Sequence, residues 1–272
     1  MRKLPPAPET RPEVMGILPL TTDAGGAGRG YAATQKGLRA ARALREAGAD
    51  WIVLCADSDD DPGSPVDIEE ELRRLQPLLQ SLDWPHSKVA VETFKPRVAE
   101  MSLQAGASMI IDLGGGRDLR MIETVAEANG MLCIRHTMDG PLPRHPSDIA
   151  HEVRDELLKR ASIADSHGIP RDRLVLDPGL GRGKRTPENL ALVRDLGLLT
   201  QSEYPVMVSG SREMFLGRVL GTELDPRPTE AREAGALTLY VLAICLGVRY
   251  LRGHNVEALR DATEVASAVL KA

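Results

Sequence analysis

The chain has 272 residues, 42% hydrophobic and 27% charged, which suits one large globular domain. Its formal net charge of −5 and the lack of any Lys/Arg run argue against a nucleic-acid surface. No apolar run approaches the ~20 residues of a membrane span. Cys55, Cys133 and Cys245 stand alone in apolar runs, as buried thiols rather than a disulfide or CxxC metal framework. With only 3% aromatic residues, the core must be aliphatic.

Residues 1–12 lack the apolar stretch of a signal peptide and read as a disordered tail, so the expected location is the cytoplasm. Short runs of Val, Ile, Leu and Met then alternate with longer amphipathic stretches. A strand at 14–20 precedes a helix over 31–47, and one at 51–55 precedes a helix over 67–82. Strands at 88–92 and 108–113 are followed by helices over 96–105 and 118–129. The strand at 131–135 leads to a helix over 147–167, where Ile149, Val153, Leu157, Leu158 and Ala161 repeat with a helical period and Ser147 is the expected N-cap. Strands at 173–176, 205–209 and 248–252 precede helices over 187–196, 229–246 and 256–271. Eight such units over residues 13–272 predict a single-domain (β/α)8 TIM barrel; a doubly wound sheet would need a switch point and usually has fewer units.

In a barrel, chemistry gathers at the residues just past each strand. That rule selects Asp23; Asp57 to Asp61; Glu92; Asp112; Arg135 and His136; Asp177; Ser211, Arg212 and Glu213; and Arg252 and His254. The most informative stretch is Leu174-Val-Leu-Asp-Pro-Gly-Leu-Gly-Arg-Gly-Lys184, a buried strand end with a carboxylate at its tip and a glycine-rich loop behind it. Such a carboxylate either caps the turn or presents an acceptor to a ligand.

These strand ends resemble the dihydropteroate synthase family, the pterin-binding barrels, from about Gly16 to Leu270. Gly16-Ile-Leu with Asp23 is similar to GILNVTPDSF, and Gly48-Ala-Asp50 with its strand to GADIIDIGGESTRPG. Glu92-Thr-Phe-Lys95 resembles DTYK, Ala107 to Asp112 the strand ending in IND, and Arg135-His136 with Gly140 the MHMxG segment. Asp177 to Lys184 resembles DPGIGFGK, Ser209-Gly-Ser-Arg212 the GSRK end, and Arg252-Gly-His254-Asn-Val256 RVHDV.

The resemblance implies a transferase of folate biosynthesis that binds a pterin, expels diphosphate and joins the pterin-CH2 group to p-aminobenzoate. It assigns substrate binding to Glu92, Asp112, Asp177, Ser211, Arg212, Arg252 and His254. Asp177 and Arg252 are also candidates for catalysis. Glu213 is a third, as general base or binder of a cationic substrate, against its reading as a helix-start residue. Mg2+ is the implied metal, carried with the diphosphate; separately, Asp23, Asp57 and Asp59 are candidate oxygen ligands for Mg2+ or Ca2+, against the reading of Asp57 to Asp61 as a solvated loop, and no tightly bound organic cofactor is expected. The partners are a small pterin-like heterocycle and a second copy of the chain, with no nucleic acid and no membrane.

Departures from the family pattern fall at the chemistry. Glu92 replaces the aspartate of DTYK, Asp112 stands at IND, Glu213 replaces the lysine of GSRK, and Pro19 replaces the asparagine of the first motif. The expectation is a diverged paralogue that keeps the barrel and part of the pterin pocket. A true dihydropteroate synthase and a non-catalytic paralogue are the alternatives. Two carboxylates facing one ring should not both stay charged, so one should be protonated or paired with Arg212 or Arg252.

Overall fold

The computed structural model describes residues 11–20, 30–57, 66–82, 88–138, 140, 142–143 and 145–272, with the backbone alone at 30–33. The strands are β1 (Glu13–Pro19), β2 (Trp51–Cys55), β3 (Val89–Thr93), β4 (Met109–Asp112), β5 (Met131–Arg135), β6 (Leu174–Asp177), β7 (Met207–Ser209) and β8 (Tyr250–Gly253). The helices are α1 (Gly30–Glu46), α2 (Ile68–Ser81), α3 (Pro96–Gln104), α4 (Leu119–Glu127), α5 (Ile149–Ser166), α6 (Thr186–Arg194), α7 (Gly197–Thr200), α8 (Met214–Leu220), α9 (Glu233–Cys245) and α10 (Val256–Lys271).

All paired strands are parallel, in the order β6-β5-β4-β3-β2-β1-β8-β7. A parallel bridge from Leu176 to Val206 brings β6 to the segment entering β7 and closes the ring. The (β/α)8 barrel expected from the alternation is therefore the architecture.

Strand side chains alternate between two apolar layers. Val14, Ile52, Val91, Ile110, Leu132, Leu176, Val208 and Leu251 face outward and pack under the helices. Met15, Ile17, Trp51, Val53, Ala90, Met109, Ile111, Cys133, Val175, Met207 and Tyr250 fill the interior. Burying each large aliphatic side chain contributes about 1.5–3 kcal/mol. At the strands' N-terminal ends the barrel is tied by ion pairs. Glu13 accepts from Trp51 Nε1 and Arg249 Nη2, both at 2.7 Å, and pairs with Lys88. Asp50 accepts from Arg11 at 2.7 Å and from the Val14 amide at 2.8 Å. Arg11, placed in the tail by its sequence, is thus held to the barrel; residues 1–10 lie outside the described residues.

Three local expectations change. Ser147 does not cap α5: a 3-10 turn at Pro146–Asp148 precedes the helix, and the Ser147 hydroxyl bonds Asp148 instead. The helix expected over 229–246 begins at Glu233, after a 3-10 turn at Thr229–Ala231. The sequence reading also lacked α8. Gly217 weakens its helical signal, yet a Cβ there would sit 2.6 Å from Arg232 Nε, so the helix needs that glycine.

Candidate functional site

The alternation that buries Ala90, Cys133, Val175 and Tyr250 inside the barrel points the residues two further along inward as well. Those residues are Glu92, Arg135, Asp177 and Arg252, on β3, β5, β6 and β8. All four lie at the strands' C-terminal ends, and none is more than 5% exposed.

Glu92 is bridged by two arginines. Arg135 Nη1 donates to Oε1 and Arg252 Nη2 to Oε2. The Cys55 thiol also donates to Oε2, at 2.9 Å, and Arg252 Nη1 donates to Ser209 Oγ at 2.8 Å. The expectation that one carboxylate would pair with Arg212 or Arg252 is met at Arg252. Arg135 is the second partner, a rim residue to which the sequence reading gave no role. Lys95 pairs elsewhere: it donates to Asp57 at 2.8 Å and to Glu71 at 2.5 Å. Burial works against its charge, but those two bonds outweigh burial and raise its pKa.

Asp177 is fully buried. Its Oδ1 accepts the Gly179 amide at 2.8 Å, while its Oδ2 has no hydrogen-bond partner. Burial raises its pKa, against the pull of Arg135, Arg252 and Lys184. A buried acceptor left open in this way is costly unless something binds it. The loop after it is tightly built. Gly179 has φ +64°, and a Cβ there would overlap the His136 carbonyl oxygen. Asn189 on α6 accepts from the Gly181 amide at 2.7 Å and donates to the carbonyls of Lys184 and Arg185, each at 2.9 Å. Lys184 folds back to the Gly179 carbonyl at 2.8 Å. Burial holds its pKa down to about 8, although Asp177 and Glu213 favour its charge. A Cβ at Gly181 would overlap the Glu213 carboxylate, so Glu213 rests directly on this glycine-rich turn.

Glu213 is the residue before α8 and makes no side-chain cap to that helix. The β7–α8 turn that carries it is pinned by Arg232. This buried guanidinium donates to the carbonyls of Arg227 at 2.7 Å, Arg212 at 2.8 Å and Glu213 at 3.4 Å. Arg212 itself is exposed. Ser211 Oγ meets His254 Nδ1 at 2.8 Å, and burial, with help from Arg212 and Arg252, depresses the His254 pKa to about 3. His254 is therefore neutral near pH 7, a hydrogen-bonding group and not a cation. His136 is also neutral: burial and then Lys184 lower its pKa to about 4, and its Nε2 faces Glu156 at 3.3 Å.

The remaining expected residues lie apart. Asp112 has the opposite phase on its strand to Ile111, which is the inward residue at the end of β4. Its oxygens accept the amides of Gly114 at 2.7 Å and Gly116 at 2.6 Å, so it shapes the following turn. Burial raises its pKa. The substrate-facing place expected for Asp112 is thus occupied by a side chain with no polar atom. Asp57 is tied to Lys95, and Asp23 and Asp59 lie outside the described residues. For Mg2+, the donors do not fit among the described residues. Pro19 has no ligand atom, and no group of three His, Cys, Asp or Glu side chains converges. No described helix is long and apolar enough to cross a membrane.

A (β/α)8 barrel with an open, buried carboxylate on β6 and cationic groups around it defines a small-molecule site at the barrel mouth. Residues 15–254 match the model of the pterin binding enzyme family, and the chain belongs to that family. It is 31% identical over 249 residues to the dihydropteroate synthase of Staphylococcus haemolyticus, covering 91% of each. It is 30% identical to that of Bacillus subtilis over 94% of this chain and 88% of the relative. Among solved structures, the Xanthomonas albilineans dihydropteroate synthase with 4-aminobenzoic acid superposes with a TM-score of 0.87 at 33% identity, covering 96% of this chain and 94% of that one. The Thermus thermophilus enzyme in complex with 6HMPPP gives 0.80 at 35%, covering 95% and 94%. The protein is dihydropteroate synthase-like.

Proposed function

We propose that this chain is a diverged dihydropteroate synthase-like transferase that binds a pterin or related heterocycle at Asp177. The observation that carries this reading is the unpartnered Oδ2 of a fully buried Asp177 at the mouth of the barrel. A ring N–H directed at that oxygen satisfies an acceptor that nothing in the fold satisfies, and a charge-assisted bond of this kind is short and strong.

The altered neighbours argue against the standard condensation with p-aminobenzoate. Glu92 is bridged by arginines, Ile111 faces inward where an amide would serve the ring, and Glu213 rests on the β6 loop. In a transfer of this class, diphosphate leaves the exocyclic carbon as an amine lone pair attacks it. The Ser211–His254 pair spends one proton on its own hydrogen bond and would donate the remaining one to a leaving oxygen, while Arg252, turned toward Glu92 and Ser209, lends its charge. No step of this reading runs through Mg2+.

The same arginine bridge supports a second reading, a paralogue that binds the ring without turnover. We also propose a cytoplasmic homodimer: the three cysteines are free thiols, and α9 and α10 expose Val241, Leu242, Val265 and Val269 for a second copy to cover.

Isothermal titration with 6-hydroxymethyl-7,8-dihydropterin and its diphosphate, for the native chain and Asp177→Asn, tests the site. Binding lost in the variant supports it, and no binding to the native chain at millimolar ligand refutes it. Diphosphate release with p-aminobenzoate, together with complementation of a folate-requiring strain, separates the readings. Turnover at a synthase's rate would establish the true synthase and overturn the altered-site proposal.

A further inference from the structure

We infer that Tyr240, on α9, is the positioning residue for the leaving-group end of this site: its phenol holds Ser211 and His254 in the register at which they meet an anion. The inference rests on the transfer reading above. It adds to that reading a buried residue that touches no substrate and acts only through its neighbours.

Pairing between β7 and β8 ends at Ser209 and Arg252. Beyond that rung no backbone hydrogen bond joins the two segments among the described residues. Ser211 and His254 both lie past it, yet their side chains meet at 2.8 Å. The sheet ladder therefore does not set their separation.

The Tyr240 phenol supplies the missing rung. It donates to the Arg252 carbonyl at 2.5 Å and accepts the Gly210 amide at 3.2 Å. One hydroxyl thus ties the residue before Ser211 to the strand that leads into His254. The backbone lets the helix this close because it carries no side chain there. A Cβ on Gly253 would come 3.2 Å from the phenol oxygen, and one on Gly210 3.3 Å from Leu239 of the same helix. Burial raises the phenol's pKa to about 12, against the pull of the Gly210 amide and the Ser211 hydroxyl, so its proton stays in place at neutral pH. Arg232 holds the same turn from its far side, at the carbonyls of Arg212 and Glu213. Tyr240 holds the side that faces β8. Losing the hydroxyl strips a partner from the Arg252 carbonyl and the Gly210 amide at once.

Titration calorimetry with inorganic diphosphate and with 6-hydroxymethyl-7,8-dihydropterin separates positioning from general support of the fold. Tyr240→Phe should weaken diphosphate about 10-fold, the effect of losing one charge-assisted hydrogen bond. Affinity for the ring, which carries no anion and is held at β6, should not change. If diphosphate binds the variant as it binds the native chain, or if both ligands weaken alike, the inference is overturned while the transfer reading stands. If the native chain takes the ring but no diphosphate at millimolar concentration, the inference and the leaving-group assignment fail together, and ring recognition at Asp177 survives. If neither ligand binds, the heterocycle reading falls as well. Should Tyr240→Phe not fold, amide hydrogen exchange on the unmodified protein decides. Saturating diphosphate should slow exchange at Gly210, because binding is linked to the tie that builds the site; unchanged exchange there overturns the inference.

Discussion

Replacing Glu92 with alanine should be the most damaging single change inside this barrel mouth. The carboxylate is 3% exposed, and Arg135 and Arg252 are 4% and 5% exposed, so all three charges are withdrawn from water. With Glu92 present, one negative charge lies between two positive ones. Without it, two guanidiniums stand in a buried pocket with no bridging anion. Removing one partner from a buried, hydrogen-bonded ion pair costs about 3–5 kcal/mol. Arg135→Met is gentler, because Glu92 keeps Arg252 and the Cys55 thiol. Losing one charge-assisted bond there should cost about 1.5–3 kcal/mol. The double variant should then be less destabilised than the sum of the singles, since the second substitution removes a charge the first one stranded. Urea unfolding at pH 7, followed by far-UV circular dichroism, measures all three from the midpoint at constant slope. If Glu92→Ala is no worse than Arg135→Met, or the two effects add, the bridge does not compensate charge as argued.

Two further outcomes follow from the geometry. Arg232→Met should cost about 1.5–3 kcal/mol by freeing the carbonyls of Arg212, Glu213 and Arg227, with faster amide hydrogen exchange confined to residues 211–217. Protection unchanged there would remove Arg232 as the pin of that turn. Acid should weaken ring binding, because protonating Asp177 replaces a charge-assisted acceptor with a weaker neutral one and turns one oxygen into a donor, and burial has raised its pKa. The onset should lie above the usual aspartate value of about 3.9, and a profile flat down to that pH would contradict the reading. The stability sign is opposite. A carboxyl raised by folding contributes stability below its unfolded pKa and loses it as pH rises through the folded one. Asp177→Asn should therefore be no less stable than the native chain at pH 7 while binding no ring. Neither His136 nor His254 should add an inflection near the ordinary histidine value of about 6.5, their pKa values being about 4 and 3.

The barrel was legible because each strand is a short apolar run closed by a turn residue, and such local signals survive without knowledge of neighbours. Asp177 was legible for the same reason: Leu-Val-Leu-Asp-Pro-Gly marks a strand tip within six residues. The Arg135 half of the bridge was not, because Glu92 lies 43 positions away, whereas Arg252, 160 away, was one of the two partners the charge argument offered. Only closure of the barrel makes them neighbours. Asp112 shows a different failure. Ile111 and Asp112 are adjacent in sequence, and strand phase alone decides which one faces the interior. Arg232 gave no warning at all, since its partners are backbone carbonyls, which every residue offers. Gly217 was the available hint, an interruption in a helix that makes sense only once a guanidinium lies against it.

The arginine bridge also constrains the order in which this site can change by single substitutions. Starting from the present chain, a step that removes Arg135 leaves a paired Glu92 and a folded barrel from which further steps are open. A step that removes Glu92 first strands both guanidiniums and takes about 3–5 kcal/mol from a total stability of about 5–15 kcal/mol, leaving little margin for a further step. Glu92 is thus locked behind Arg135. Routes to a different ring specificity run through β5 before they reach β3.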